Sequence, residues 1–174
     1  TAHVGDGSAV KHSRQHGNRC LVLCFSVLCC LAGLPVAIAA EHCDPWVAQA
    51  ASIQGKVERR LAGTPQWQTL QRGETFCEGD EVRVRENSRA ALILTNHTIL
   101  RLDQNSAVTF TGLQADQPAW LDLLQGVAHF ISRVKQSFKV VTPFVNAYVE
   151  GTEFVVDVGE QGTRIAVFEG QVAA

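Results

Sequence analysis

The sequence predicts an all-β fold, either an antiparallel two-layer sandwich or a solenoid-like sheet of short strands, preceded by a signal-peptide helix. Short runs rich in β-branched and aromatic residues alternate with polar residues, and turn residues recur between the runs at close, fairly even spacing. No window of ten or more residues after residue 40 has a convincing 3.6-residue period. A region of about 130 residues with this pattern can bury enough apolar surface to fold by itself.

The first 40 residues have the three-part order of a secretory signal peptide: a basic flank, an apolar run at 21–34, and small residues at Ala37 and Ala39. The apolar run is shorter than the roughly 20 residues that a membrane-spanning helix needs. We expect cleavage after Ala39 or Ala40, with an uncleaved signal anchor as the alternative. A lipoprotein modified at Cys29 or Cys30 is less favoured, because the small residue expected before the modified cysteine is missing.

Four regions follow from this pattern: a disordered leader (1–19), the signal peptide (20–40), an N-terminal lead-in (41–50) and a β domain (51–174). Residues 1–19 are rich in His, Ser and Gly, with almost nothing to bury. The β domain is expected to continue beyond residue 174. The predicted location is therefore the periplasm or the outside of a bacterial cell, and the only expected membrane contact is through the signal segment, if it stays uncleaved.

The charge of the exported region argues against nucleic acid as a partner. The chain has 15 basic and 17 acidic residues, and the first 40 residues contain three of the former and one of the latter. The remaining 12 basic and 16 acidic residues give a net charge of −4. A duplex-binding domain would show a basic stripe, whereas Arg83, Arg85 and Arg89 alternate with Glu81 and Glu86.

Two cysteines, Cys43 and Cys77, remain after the apolar run, which holds the other four. An even count in an exported chain predicts a disulfide, and closing a loop of about 35 residues stabilises a fold by roughly 3–4 kcal/mol. Two free thiols are the alternative. A metal site at Glu41-His42-Cys43 is disfavoured, since three adjacent residues cannot all face one ion and no second ligand cluster exists. We therefore predict no metal and no cofactor.

The predicted strands follow from the apolar alternation and are separated by turns, including a two-residue hairpin turn at Asn96-His97 and turns at Gln125-Gly126 and 135–137. Their ranges are 51–61, 67–70, 81–85, 90–95, 99–102, 107–111, 120–124, 127–131, 138–141, 147–149, 153–158 and 164–168. Gly55, Gly126 and Gly170 share a Gly-x-(Val/Ala) pattern, which we interpret as a need for positive φ in the turns rather than as an internal repeat.

A series of short motifs in a fixed order resembles a known family. They are Gly55-Lys-Val, Trp67-Gln-Thr-Leu-Gln-Arg-Gly, Glu78-Gly-Asp-Glu-Val, Ser88-Arg-Ala-Ala-Leu-Ile-Leu, Leu124-Gln-Gly-Val-Ala, Val141-Thr-Pro-Phe, Val149-Glu-Gly-Thr-Glu-Phe-Val-Val and Val167-Phe-Glu-Gly-Gln-Val. Together they resemble the FecR domain, the periplasmic module of FecR-type iron-signal transducers, over about residues 50–174. The resemblance implies a structural role for Thr142, Pro143, Gly151, Thr152, Phe154, Glu169 and Gly170, with the proline ending one strand and Gly151 turning the chain into the next.

Two departures from the family pattern limit what the resemblance implies. Glu150 stands where the family usually has an arginine, and Asn96-His97 stands where an Asp-Gly hairpin is common. The transducers also carry a cytoplasmic domain that holds a sigma factor, whereas only about 20 polar residues precede the apolar run here. The resemblance therefore implies an exported β module without the anti-sigma role.

No catalytic constellation is visible in the sequence. His42, His97 and His129 have no nucleophile in a recognisable motif, and the carboxylates at Asp103, Asp122, Glu153 and Asp157 are scattered over different strands. Trp67 is expected in the core, with a sugar-stacking platform as the alternative.

The sequence therefore predicts a non-enzymatic binding, signalling or scaffold module of the bacterial envelope, with an envelope protein or cell-wall polymer as its partner. The alternative is a carbohydrate- or cell-wall-acting protein, whose active part lies beyond residue 174 or in a carboxylate site hidden in the β domain.

Overall fold

Eleven antiparallel strands make up the described part of the chain. The computed structural model describes residues 43–112 and 119–174, so the predicted signal-peptide helix lies outside the described residues. The all-β, antiparallel prediction is confirmed, and within these ranges no helix is long and apolar enough to cross a membrane. The strands are β1 (Ala48–Gln54), β2 (Val57–Arg60), β3 (Trp67–Thr69), β4 (Thr75–Phe76), β5 (Glu81–Val84), β6 (Arg89–Leu94), β7 (Ile99–Leu102), β8 (Ala107–Gly112), β9 (Ala119–Val141), β10 (Asn146–Gly159) and β11 (Gly162–Ala173).

One sheet contains all of these strands, in the order β3-β2-β5-β8-β9-β7-β6-β1-β4, with β10 added to β9 and β11 added to β10. The long strand β9 connects the two halves of the sheet, because its first residues pair with β8 and its middle residues pair with β7 and β10. The sheet curls around a single core. Phe76 of β4 and Phe110 of β8 belong to opposite halves of the strand order, yet their ring centroids lie 5.0 Å apart.

Alternating burial along each strand produces this core. In β6 and β7 the leucines Leu92, Leu94, Leu100 and Leu102 are buried, whereas the intervening Ile93 and Ile99 are more than a third exposed. Successive side chains of a strand point to opposite faces, so the period-2 pattern in the sequence sets which face packs inward. Three further rings complete the core at the β9–β10 end, where Phe154 stacks on Phe130 at 4.4 Å and Phe138 lies within 5.3 Å of both.

The prediction of three separate strands at 120–124, 127–131 and 138–141 is wrong, because these residues form the single strand β9. The expected turn at Gln125-Gly126 is instead a bend inside one 23-residue strand. Gly126 has φ +85°, which allows the bend, and Ala107 still pairs with Gln125 while Val158 pairs with Gly126. Partner strands on both sides satisfy the backbone, so the chain continues as a strand through residues that usually mark a turn.

Strand β10 corrects the expected turn at Gly151-Thr152 in the same way. Gly151 lies within the strand and pairs with Gly170 of β11 and Gln136 of β9. A Cβ atom on Gly151 would lie 2.4 Å from the carbonyl oxygen of Glu169. The glycine is thus required by the close approach of two backbones rather than by a turn. Strand β11 also extends beyond the predicted range of 164–168, since residues 170–173 belong to it.

The hairpin between β6 and β7 is also longer than predicted. Its loop spans residues 95–98, and the residue in the left-handed region is His97, with φ 63°, rather than Asn96. The side-chain oxygen of Asn96 accepts a hydrogen bond from the backbone N–H of Thr98 at 3.1 Å. Asn96 therefore stabilises the loop through its side chain and leaves the left-handed position to its neighbour.

Two corners of the sheet have the same construction. The Ser88 hydroxyl accepts a hydrogen bond from the N–H of Lys56, next to Gly55, and the Ser106 hydroxyl accepts one from the N–H of Val127, next to Gly126. In each corner the residue before the serine, Asn87 or Asn105, has a left-handed backbone. The shared Gly-x-(Val/Ala) pattern at Gly55 and Gly126 therefore reflects a repeated corner, in addition to the positive φ that we predicted for both glycines.

Candidate functional site

A disulfide joins Cys43 to Cys77, as predicted, with the Cα atoms 5.8 Å apart. Cys77 lies in the turn between β4 and β5, and the same turn contains the buried Asp80. The Asp80 carboxylate accepts hydrogen bonds from the backbone N–H groups of Cys77 and Ala62, both at 2.8 Å. The disulfide thus attaches the chain that precedes β1 to a turn that a buried carboxylate already holds in place.

The outward face of β2, β3 and β5 is a charged surface rather than a sugar-stacking platform. Trp67 is partly buried at the edge of the sheet, outside the hydrophobic core, which corrects the expected core position. The Arg83 guanidinium carbon lies 3.8 Å from the centroid of the Trp67 ring, and that of Arg60 lies 5.0 Å away. Arginines therefore occupy the neighbourhood of this ring and make cation–π contacts with it.

Glu58 is the most electrostatically constrained group on this surface. Arg83 and Arg85 each donate a hydrogen bond from Nε to the same carboxylate oxygen, at 2.7 and 2.8 Å. Burial raises the pKa of Glu58, but the hydrogen bonds and positive charges of the two arginines outweigh burial and lower the pKa from its ordinary 4.5 to about 2. No local pattern in the sequence indicates this cluster, because it depends on the register of β2 against β5, in which Glu58 lies opposite Arg83.

The sequence predicted no catalytic residues, and among the histidines and carboxylates named there, His129 and Glu153 are in contact within the described part of the chain. His129 Nε2 lies 3.0 Å from Glu153 Oε1 on the outward face of β9 and β10, and His97 lies in the β6–β7 loop. Asp103 pairs with Arg89 at 3.0 Å, and the hydrogen bond from Arg89 lowers its pKa. His42 lies outside the described residues.

Ser52 lines the same groove as His129 but lies too far away to act as a nucleophile for the His129–Glu153 pair. Ser52 and His129 both line a groove of about 560 Å³ on the outward face, together with Ala91, Arg101 and Val155. Ser52 is on β1, however, and the strand order β1-β6-β7-β9 puts three strand spacings, roughly 14 Å, between it and His129. A general base must lie within hydrogen-bonding reach of the nucleophile, so these two residues cannot form a triad with Glu153.

The groove contains a cation that has no ionic partner among the described residues. Arg101 has no carboxylate within 4.0 Å among the described residues, whereas Arg89 pairs with Asp103 and His129 with Glu153. Within those residues, no group of three or more His, Cys, Asp or Glu side chains could hold a metal ion. The groove therefore presents an exposed positive group beside small apolar side chains.

The seven motif residues cluster around β9, β10 and β11. The hydroxyl of Thr142 accepts a hydrogen bond from the N–H of Val145 and lies 2.8 Å from the hydroxyl of Thr163, and Pro143 follows the end of β9. Phe154 is a core ring and Glu169 is an exposed residue opposite Glu153. Of the remaining three, Gly151 and Gly170 lie opposite each other where the backbones of β10 and β11 leave no room for a Cβ atom, and Thr152 is skipped in the pairing of the two strands.

Glu150, where the chain departs from the family's usual arginine, is half exposed and forms an ion pair with Lys135 at 3.0 Å. The carboxylate therefore has a cationic partner on the neighbouring strand β9. An arginine at this position would meet Lys135 as a like charge, so the two positions fit each other as they stand in this sequence.

The fold and these surfaces define an antiparallel β module that presents charged faces, a shallow groove and a disulfide. The model of the family described as FecR protein matches residues 80–173, which is more than half of the chain. The chain therefore belongs to the FecR family, a non-enzymatic signalling family. Neither a curated protein nor a solved structure matches the chain.

Proposed function

We propose that this chain is an exported signalling module that acts by binding an envelope protein or a cell-wall polymer, and that it performs no catalysis. Membership of the FecR family supports the signalling class. The binding partner, the location and the absence of catalysis are the proposal. The signal-peptide pattern of residues 20–40 supports export to the periplasm or the outside of the cell.

The disulfide between Cys43 and Cys77 is the observation that carries the location. Structural disulfides persist in oxidising compartments and are rare where thioredoxin and glutathione keep thiols reduced. Cys43 follows the proposed cleavage point by three or four residues, so the bond would form only once this part of the chain has crossed the membrane.

The groove on the outward face supports binding as the mode of action. It combines small apolar side chains with Arg101, which has no ionic partner within the described ranges, and this mixture suits a partner with a negatively charged group. We therefore expect Arg101 to contribute to partner recognition through its charge and to contribute nothing to folding, since its side chain is exposed.

The experiment uses the full chain immobilised through a C-terminal tag and incubated with solubilised envelope proteins and with purified cell-wall polymer. We expect saturable binding to one of the two, weakened by Arg101→Glu. Arg133→Glu is the matched control, because Arg133 is also an exposed arginine but does not line the groove. Binding that both variants weaken equally would reflect net charge alone and would reject the groove.

The alternative function is tested in the same preparation. Release of soluble sugar from the polymer by the purified chain would contradict the non-enzymatic proposal and favour a cell-wall-acting protein. The decisive variant is then Glu153→Gln, because the His129–Glu153 pair is the acid–base pair that the structure brings into contact on the outward face.

A further inference from the structure

The edges of the sheet differ sharply in length. At the two ends of the strand order lie β3 with three residues and β4 with two, whereas β11 has twelve and, within the described part of the chain, pairs only with β10. Twelve residues of strand extend about 40 Å. One side of β11 therefore presents a long row of backbone N–H and C=O groups that no described strand satisfies.

Natural sheets protect their edges with short strands, with proline or with lysine, because an open edge pairs readily with another chain. The edges at β3 and β4 are protected by their shortness. Strand β11 is long and contains neither proline nor lysine, and its only charged residues are Arg164 and Glu169. The edge at β11 thus lacks these three forms of protection, although a bulge at Phe168 interrupts its regular pairing with β10.

The hydrophobic core is also incomplete at this edge. Ile165 and Val167 face inward and pack against the core, but both are only partly buried. Phe168 is 67% exposed, and Val172 is 45% exposed. A strand added to β11 would cover these side chains and would gain apolar burial in addition to backbone hydrogen bonds.

The two charges of β11 make the edge self-complementary. Glu169 lies opposite Glu153, and Arg164 lies opposite Asp157, so both charged side chains are on the outward face. A bulge at Phe168 accounts for this, because residues 164 and 169 would otherwise point to opposite faces. In an antiparallel pair of two β11 strands, Arg164 of each copy comes near Glu169 of the other.

We propose that β11 pairs with β11 of a second copy of this chain, antiparallel and about a two-fold axis near Val167, which forms a continuous sheet across a symmetric dimer. The axis lies close to the middle of the strand, so nearly all of its length can pair. Phe168, the most exposed of the large apolar residues in the described ranges, lies beside the axis and becomes buried between the copies.

The test measures the mass of the purified full chain by sedimentation velocity over the micromolar range. We expect a monomer–dimer equilibrium, and Phe168→Lys should weaken the dimer at least tenfold by placing a lysine at the centre of the edge. Phe144→Lys is the control, because Phe144 is also more than half exposed but lies in the β9–β10 turn. The control should dimerise as the unmodified chain does.

Cross-linking tests the geometry separately from the affinity. The background for this test is the full chain with Cys20, Cys24, Cys29 and Cys30 changed to serine, so that only the added cysteine is a free thiol. Under oxidising conditions, Ala166→Cys near the axis should form a disulfide-linked dimer. Gln161→Cys in the β10–β11 hairpin should not, since antiparallel pairing puts the two hairpins at opposite ends. A chain that stays monomeric throughout, or a dimer that Phe168→Lys leaves intact, would overturn the proposal. A monomeric chain that needs Phe168 to capture a different protein would also overturn it and would assign the edge to that partner.

Discussion

Ser106 and Gly126 are in such close contact that only glycine fits at the bend of β9. The Ser106 hydroxyl accepts a hydrogen bond from the N–H of Val127 at 2.9 Å and lies 3.1 Å from its carbonyl oxygen. A Cβ atom on Gly126 would lie 2.4 Å from the serine hydroxyl and 2.5 Å from the serine Cα. Strand β9 can bend and pair with both halves of the sheet only because residue 126 has no Cβ methyl group.

Gly126→Ala should lower the free energy of unfolding by at least about 2 kcal/mol, because it combines the cost of positive φ with a clash against backbone. Gly73→Ala separates the two effects, since Gly73 has φ +87° but a Cβ atom added to it would meet nothing within 4 Å. We expect it to cost about 1 kcal/mol. Urea unfolding followed by tryptophan fluorescence measures both. If Gly126→Ala and Gly73→Ala lose the same free energy of unfolding, the clash with Ser106 contributes nothing to the cost of Gly126→Ala.

Removal of the disulfide by the double change Cys43→Ala and Cys77→Ala should lower the free energy of unfolding by roughly 3–4 kcal/mol, because the bond closes a loop of 34 residues. A reducing agent should destabilise the unmodified chain by a similar amount and leave the double variant unchanged. If the reducing agent lowers the free energy of unfolding of both proteins equally, its effect is not caused by reduction of this disulfide.

Glu58 should make the fold sensitive to acid. Its pKa is about 2 in the folded chain and 4.5 in its ordinary state, so the stabilisation is fully present above pH 4.5 and is lost as the pH falls toward 2. Glu58→Gln should therefore lower the free energy of unfolding at neutral pH by about 1–3 kcal/mol. The variant should also lose less stability than the unmodified chain between pH 5 and pH 2. Here the measurement is urea unfolding at a series of pH values.

The control for Glu58 is Glu86→Gln, which removes a nearby exposed carboxylate that forms no ion pair among the described residues. It should keep the neutral-pH stability of the unmodified chain. If Glu58→Gln keeps the full acid sensitivity, the two arginine hydrogen bonds do not stabilise the fold.

Thr98→Val should raise the free energy of unfolding by about 1 kcal/mol, because the Thr98 hydroxyl is buried without a hydrogen-bond partner among the described residues. Valine keeps the shape and the backbone hydrogen bonds of the loop. Thr142→Val is the opposite case: it removes a buried hydroxyl that bonds to the Val145 backbone and to Thr163, so it should lower stability. Thermal unfolding of both variants checks the difference in sign.

Much of the fold follows from local sequence. Alternation at 81–85, 90–95 and 99–102 predicted β5, β6 and β7 to within a residue, because burial of one face imposes a period of two. The continuity of β9 and β10 was not predictable in this way. Gly126 and Gly151 carry the ordinary signal of a turn, and only pairing with strands distant in sequence shows that they are a bend and a close backbone contact.

The charged surfaces were less predictable than the strands. The contact of Trp67 with Arg83 and the pairing of His129 with Glu153 join residues on different strands, and their meeting depends on register rather than on spacing. The disulfide was predictable because only two cysteines remain after the apolar run, so a single pairing was possible.

The most direct test of the proposed export is the chemical state of Cys43 and Cys77 in the chain recovered from cells. Cells are lysed in a thiol-blocking reagent, the extracytoplasmic and cytoplasmic fractions are separated, and the peptides of the chain are identified by mass spectrometry. We predict that the chain is in the extracytoplasmic fraction and that its peptides containing Cys43 and Cys77 are joined and unblocked. A chain found in the cytoplasmic fraction with both thiols blocked would contradict the account.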